Sequence, residues 1–167
     1  RIMIGGVKLD FSTHFKLDQI DQFLLKKGAK YPTEMMQELF SRDFTCNTLL
    51  WSLDLKRLED HTHLGMRDIQ HKLLRCCVSP ELTLGSDPKR IVRAVYLAAK
   101  LNFTIEESAQ QWIKSNPEHF LAPGVDYVAR KLKKSIQANA PLTLDWLKHL
   151  GLLRLAPLPV EMQRNLL

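Results

Sequence analysis

The 167-residue sequence has no apolar run approaching the roughly twenty residues that a membrane-spanning helix requires, so the expectation is a soluble globular chain with no membrane partner. Cysteine is scarce, and Cys46, Cys76 and Cys77 fit neither a disulfide framework nor the Cys-x-x-Cys spacing of a zinc site. That usage predicts a reducing, intracellular home. His61 and His63 lack spaced partner ligands, so they read as part of a polar loop rather than as a metal site. The start, Arg1-Ile2-Met3-Ile4-Gly5-Gly6, has the pattern of neither a signal peptide nor an amphipathic transit sequence. Because Met is not the first residue, the expectation is a chain that begins inside a longer protein. Internal repeats and low-complexity linkers are absent as well.

What the sequence does hold is 45% hydrophobic residues, enough for a true core, and a formal charge of +6 with a pI near 9.3. The positive balance permits a polyanionic partner without requiring one. Its distribution says more: Arg130, Lys131, Lys133 and Lys134 form a run, with Lys148, Arg154 and Arg164 beyond it. Two readings stand for the run, a solvated helix face or a surface that follows an RNA backbone with strong salt dependence.

Hydrophobic spacing predicts an α+β chain that is mostly α. Arg1–Ile4 and Val7–Phe11 flank Gly5-Gly6 as a β-hairpin would. Helical spacing covers Asp18–Lys27 and Thr33–Leu53, a short extended piece lies at Leu55–Leu58, and another helix runs from Met66 through Leu74. After Asp87-Pro88, a good N-cap and a residue suited to the first helical position, Ile91, Ala94, Val95, Ala98 and Leu101 form an apolar stripe ending near Asn102. Thr104 and Glu107 have the spacing of a capping box. Gly124–Ala138 and Leu142–Leu150 read as helices separated by Asn139-Ala140-Pro141, with Gly151 as the stop.

Two polar clusters stand out, Ser41-Arg42-Asp43-Phe44-Thr45-Cys46-Asn47 and Ser86-Asp87-Pro88-Lys89-Arg90. Each pairs an Arg, which only donates hydrogen bonds, with a carboxylate, which when ionised only accepts them. Asp87 and Arg90 lie three apart at a helix start and so share a face. Cytosine and adenine present an exocyclic amino donor beside a ring-nitrogen acceptor, which a carboxylate plus a guanidinium matches; uracil and guanine exchange the two roles. The plainer readings are an N-cap for Asp87 and a surface ion pair for Arg42 and Asp43.

The first cluster resembles the Arg-Arg-Asp-Phe-Thr-x-Asn motif of the class II tRNA nucleotidyltransferase and bacterial poly(A) polymerase family. The second resembles that family's Glu-Asp-Pro-x-Arg, followed by Arg93-Ala94, Ala98-Ala99 and Phe103. Asp60 through Ile69, with Gly65 and Asp68, loosely matches the element Asp-x-x-x-Gly-x-x-Asp-Leu, with one extra residue before the Gly. The resemblance implies a β-hairpin remnant of a polymerase head followed by helical head, neck and body segments. It places the C-terminal part of the head at 1–85 and an RNA-binding neck and body at 86–167. It assigns Asp87 and Arg90 to base reading, and Arg42, Asp43 and Asn47 to sugar and phosphates. The basic run Arg130, Lys131, Lys133 and Lys134 would then hold RNA, in particular tRNA.

Departures from the family matter too. Its members use two Mg²⁺ ions held by carboxylates, with ATP and CTP as substrates. The Asp-x-Asp pair expected for those ions is absent, since Asp10-Phe11-Ser12 has Ser where a second Asp would stand. On the preferred placement, Asp10 is instead the third carboxylate, a candidate catalytic and metal-binding residue; the other reading is a solvated strand end. Ser41 replaces the first Arg of its motif, removing a phosphate contact, and Ser86 replaces Glu. Two functions follow: the nucleotide-recognising portion of an enzyme that adds CCA or A residues to RNA ends, this chain alone being inactive, or a catalytically dead homologue acting as an RNA-binding or scaffold subunit of a larger assembly. The expected setting is intracellular, cytoplasmic first, with a mitochondrion or plastid left open.

Overall fold

The hairpin expected around Gly5-Gly6 forms as two antiparallel strands, β1 (Ile2–Ile4) and β2 (Val7–Leu9), with Ile2 opposite Leu9 and Ile4 opposite Val7. The structure, a computed structural model, describes residues 2–4, 7–9, 15–52 and 54–158. Asp10 lies outside these residues.

Helix α1 (Ile20–Lys26) buries Ile20 and Leu24. Helix α2 (Glu34–Phe40) starts at Thr33, whose hydroxyl accepts the Met36 N–H. The helix expected over Thr33–Leu53 therefore stops at Phe40. The cause lies in short polar side chains that compete with helical backbone pairing. Asp43 Oδ1 takes the Phe44 N–H at 2.9 Å. The chain then passes through a 3₁₀ turn at Thr45–Asn47 into β3 (Leu50–Ser52), which pairs antiparallel with β4 (Arg57–Glu59).

Helix α3 (Gly65–Gln70) is likewise shorter than expected, because Lys72 adopts a left-handed conformation (φ 53°) and Leu73–Leu74 form β5. Strand β5 pairs in parallel with β6 (Thr104–Ile105). That pairing also undoes the expected capping box. Thr104 donates its N–H to Lys72 O, and α6 (Glu107–Ser115) begins after Glu106 with no side-chain cap.

Around the second polar cluster the helix after Asp87-Pro88 follows the sequence closely, while the helix before it was not among the expected elements. Helix α4 (Pro80–Ser86) is capped by Ser79, and α5 (Lys89–Leu101) buries Ile91, Ala94, Val95 and Ala98, ending at Asn102 in the left-handed region. Leu101, expected in the buried stripe, is instead exposed. Helix α7 (Val125–His149) packs most extensively against α5, as small alanines on the facing stripe allow. It is broken at Asn139 (φ −162°, ψ 96°), with Pro141 just beyond. Asn139 Oδ1 accepts the Leu142 N–H and so starts the second half. One apolar core runs from Phe44 and Leu74 through α4, α5, α6 and α7 to Leu158, crossing position 85/86. A smaller cluster gathers Leu17, Ile20, Leu24 and Val78. No helix among the described residues is long and apolar enough to cross a membrane.

Candidate nucleotide site

Both polar clusters open onto a single cavity of about 510 Å³, within the ~300–1,000 Å³ range common for small-molecule sites. Its lining includes Arg42, Asp43 and Asn47 from the turn after α2, and Asp87 and Arg90 from the start of α5. All five residues that the sequence singled out for nucleotide recognition thus converge. The backbone that brings them together is specific. Thr45 donates its N–H to Arg75 O at 3.0 Å, Cys77 donates to Asp43 O at 3.2 Å, and Phe44 pairs across from Cys76.

Asp43 is the organiser of the first cluster. Its Oδ1 accepts from Phe44 N and from Asn47 Nδ2, at 2.9 and 2.8 Å, and its Oδ2 forms an ion pair with Arg93 Nε. Arg42 donates to Asn47 O at 2.8 Å and to Glu38 at 3.2 Å. Ser41 is fully buried, accepting the Leu17 N–H and donating to Gln37 O, and so stitches α2 to the residues before α1.

Arg90 is nearly buried and is held from two sides. Its Nη2 donates to Ser41 O at 2.8 Å and its Nη1 to Thr83 O at 3.3 Å, while the Phe15 ring lies 5.6 Å from the guanidinium carbon. Asp87 Oδ2 stands 3.8 Å from Arg90 Nε, and Asp87 Oδ1 accepts the Lys89 N–H at 3.2 Å. The assigned helix start is Pro88–Lys89, yet Asp87 performs a cap's work as well as lining the cavity. Its carboxylate retains acceptor capacity, and Arg90 retains donors beyond the two that reach carbonyls.

Sequence reasoning did not single out Phe15, Glu38, Lys89, Arg93 and Tyr127 for this cavity, although all line it. Arg93 had a legible signal, since it lies three residues beyond Arg90 on the same helix face. Phe15 and Tyr127 are distant in sequence and had none.

The third motif supports the site from behind. Asp60 accepts the Thr62 hydroxyl and the Met66 N–H, at 2.8 and 2.9 Å, at the head of α3. Although burial pushes its pKa up, the N–H of Met66 and the Thr62 hydroxyl outweigh this and hold the carboxyl below its usual value. A Cβ on Gly65 would meet Thr45 O at 2.8 Å and Leu49 Cδ2 at 2.9 Å, which explains a glycine there. Buried Asp68 accepts from the Thr45 hydroxyl at 2.6 Å and from Arg75, which reaches on to Glu106. The nearby thiols offer no nucleophile. Burial, then the charge of Asp43, pushes Cys46 up to about 11, and burial pushes Cys76 up to about 12.

Among the described residues no group of three His, Cys, Asp or Glu side chains is placed to hold a metal ion. The carboxylates at the cavity are engaged by the protein's own donors: Glu38 by Arg42, Asp43 by Asn47 and Arg93, and Asp87 by the Lys89 N–H.

The basic run divides. Arg130, Lys131 and Lys134 line a second, smaller cavity of about 170 Å³ together with Tyr127, whereas exposed Lys133 is not part of that lining. Tyr127 belongs to both cavities.

Residues 1–75 match the Poly A polymerase head domain family. The tRNA nucleotidyltransferase cca2 of Schizosaccharomyces pombe is 32% identical over 121 residues, covering 70% of this chain and 25% of that protein. Poly(A) polymerase I of Salmonella typhi is 42% identical over 64 residues, 38% of this chain and 14% of that protein. The chain thus spans a quarter or less of the length of these curated relatives. A solved structure of a tRNA-processing enzyme with CTP is similar with a TM-score of 0.64 at 26% identity, over 74% of this chain and 35% of that one. The chain belongs, over the part it covers, to the family of tRNA nucleotidyltransferases and poly(A) polymerases.

Proposed function

We propose that the chain is the nucleotide-recognising portion of an RNA nucleotidyltransferase, which extends RNA 3′ ends with CCA or A residues from CTP and ATP. The observation that carries this is the convergence of Arg42, Asp43, Asn47, Asp87 and Arg90 on one cavity. Asp87 accepts from the exocyclic amino group of cytosine or adenine, and Arg90 donates to the neighbouring ring nitrogen. The two carbonyls that hold Arg90 fix its guanidinium before a nucleotide arrives, so the reader costs little to order on binding. Arg42, Lys89 and Arg93 supply positive charge for phosphates, with Asp43 and Asn47 setting the turn that aims them. On this reading residues 1–85 are the C-terminal part of the head, and 86–167 the neck and body on which Arg130, Lys131, Lys133 and Lys134 hold tRNA. Asp10 is the carboxylate of this chain for Mg²⁺, and the setting is intracellular.

The test is equilibrium binding of the four ribonucleoside triphosphates to the protein and to Asp87→Ala. Binding of ATP and CTP over UTP and GTP is expected, with that preference lost in the variant, because a missing hydrogen-bond partner in a site built for one costs about tenfold or more. An equal affinity for all four in the unaltered protein would overturn the base-reading role.

A further inference from the structure

Phe15 lines the nucleotide cavity with 53% of its surface exposed, and it belongs to neither apolar core. The guanidinium carbon of Arg90 lies over its ring, 5.6 Å from the ring centre, inside the ~6 Å reach of a cation–π contact. Both partners of that contact are anchored at one buried residue. Ser41 Oγ accepts the N–H of Leu17, two residues beyond Phe15, at 2.9 Å, and Ser41 O accepts from Arg90 Nη2 at 2.8 Å. The ring and the base reader therefore share an anchor, while half of the ring's surface stays open.

A guanidinium donates within its own plane, so a base edge that pairs with Arg90 lies beside it and nearly coplanar with it. A ring set against the guanidinium face, and lining the same cavity, is then placed to meet the face of that base. Arg90 itself does not call for the ring, since the carbonyls of Ser41 and Thr83 already hold it and only 7% of it is exposed. A base is also a flat apolar face, which the edge readers leave uncovered. Hydrogen bonding at the edge treats adenine and cytosine alike, but stacking does not. Its strength grows with overlap, and bicyclic adenine covers more of a phenyl ring than monocyclic cytosine.

We infer that Phe15 is the stacking platform for the incoming base, and that through it the cavity takes ATP in preference to CTP. This rests on the base-reading role of Asp87 and Arg90 and deepens it: edge pairing admits both bases, and the ring separates them by size.

The experiment is calorimetric titration of ATP, CTP, UTP, GTP and base-free ribose 5′-triphosphate into the protein and into Phe15→Ala, Phe15→Leu and Phe15→Tyr. The unaltered protein is expected to bind ATP more tightly than CTP. In Phe15→Ala the affinity for ATP is expected to fall about tenfold and that for CTP about threefold, with ribose 5′-triphosphate unchanged. Phe15→Tyr, which keeps the ring, is expected to retain the preference for ATP, and Phe15→Leu, which keeps apolar bulk without a flat face, to lose it. Equal losses of ATP and CTP in Phe15→Ala, or full ATP affinity in Phe15→Leu, would reduce the ring to a cover for Arg90 and overturn the stacking role. A base-free triphosphate that weakens alongside ATP would overturn it too, as would CTP bound as tightly as ATP by the unaltered protein. ATP and CTP bound no better than UTP and GTP would instead strike the base-reading role of Asp87 and Arg90, and the platform with it.

Discussion

Asp43 and Arg93 both line the cavity, and the carboxylate holds three groups of the protein. Both oxygens of Asp43 accept from the protein itself, Oδ1 from Phe44 N and Asn47 Nδ2 and Oδ2 from Arg93, so the carboxylate positions the turn and the guanidinium that line the cavity. Arg93, whose side chain is 46% exposed, is the group that faces outward. Arg93→Ala is accordingly expected to cost about 1 kcal/mol of stability, because buried Asp43 keeps the Phe44 and Asn47 donors when the half-exposed guanidinium is removed. It is expected to lower ATP affinity about tenfold, a charged hydrogen bond's worth. Arg90→Ala should behave in the opposite proportion: it strips donors from the carbonyls of Ser41 and Thr83 in a buried setting, at about 2 kcal/mol or more. Denaturant unfolding and calorimetric titration of both variants separate the two; equal stability losses would refute the division. Asp87 was readable from sequence as either a cap or a base reader. The structure gives it a cap's hydrogen bond and a place in the cavity, and both follow from a single position at the helix start.

At the level of elements, α5 and the break in α7 were legible because local signals agreed with the packing. Asp87-Pro88 opens α5, Asn102 closes it, and Asn139 with Pro141 splits α7 where neither half needs the other's backbone bonds. Asn139→Ala removes the acceptor of the Leu142 N–H, and is expected to lower stability by about 1 kcal/mol by thermal melt. An unchanged melt would mean that Thr143, which bonds Asn139 O and the Ser135 hydroxyl, holds the break without the Asn139 side chain. Other elements were not legible, and for one physical reason. Thr104 has a capping box's spacing, but its N–H is drawn to Lys72 O by a parallel pairing with a segment some thirty residues earlier. Periodicity carries no record of such a partner. The overlong helix after Thr33 failed similarly, since Asp43 and Ser41 bind local backbone in ways that apolar spacing does not report.

For the molecule as a whole, the core from Phe44 to Leu158 is continuous across the position between 85 and 86. The acid stability of this fold has a contribution from Asp60, which holds the start of α3. Its carboxyl titrates below the usual 3.8 in the folded state, so the unfolded chain binds that proton more tightly. The resulting stabilisation is complete above the unfolded value and is lost as pH falls through the folded one. Melting temperature should decline below about pH 4, and less steeply in Asp60→Asn, whose side chain does not titrate there. Parallel curves for the two proteins would assign acid sensitivity to other carboxylates.

The clasp between residues 43–45 and 75–77 has a kinetic consequence. The amides of Thr45 and Cys77 are locked across it, between Phe44 and Cys76, which are both buried. Their deuterium uptake requires that these two stretches of chain part, so they are expected among the slowest-exchanging amides of the protein. An isotope label retained there, while amides of the β3–β4 hairpin have already turned over, would mark the turn bearing Arg42, Asp43 and Asn47 as the last part of the cavity to be lost on unfolding.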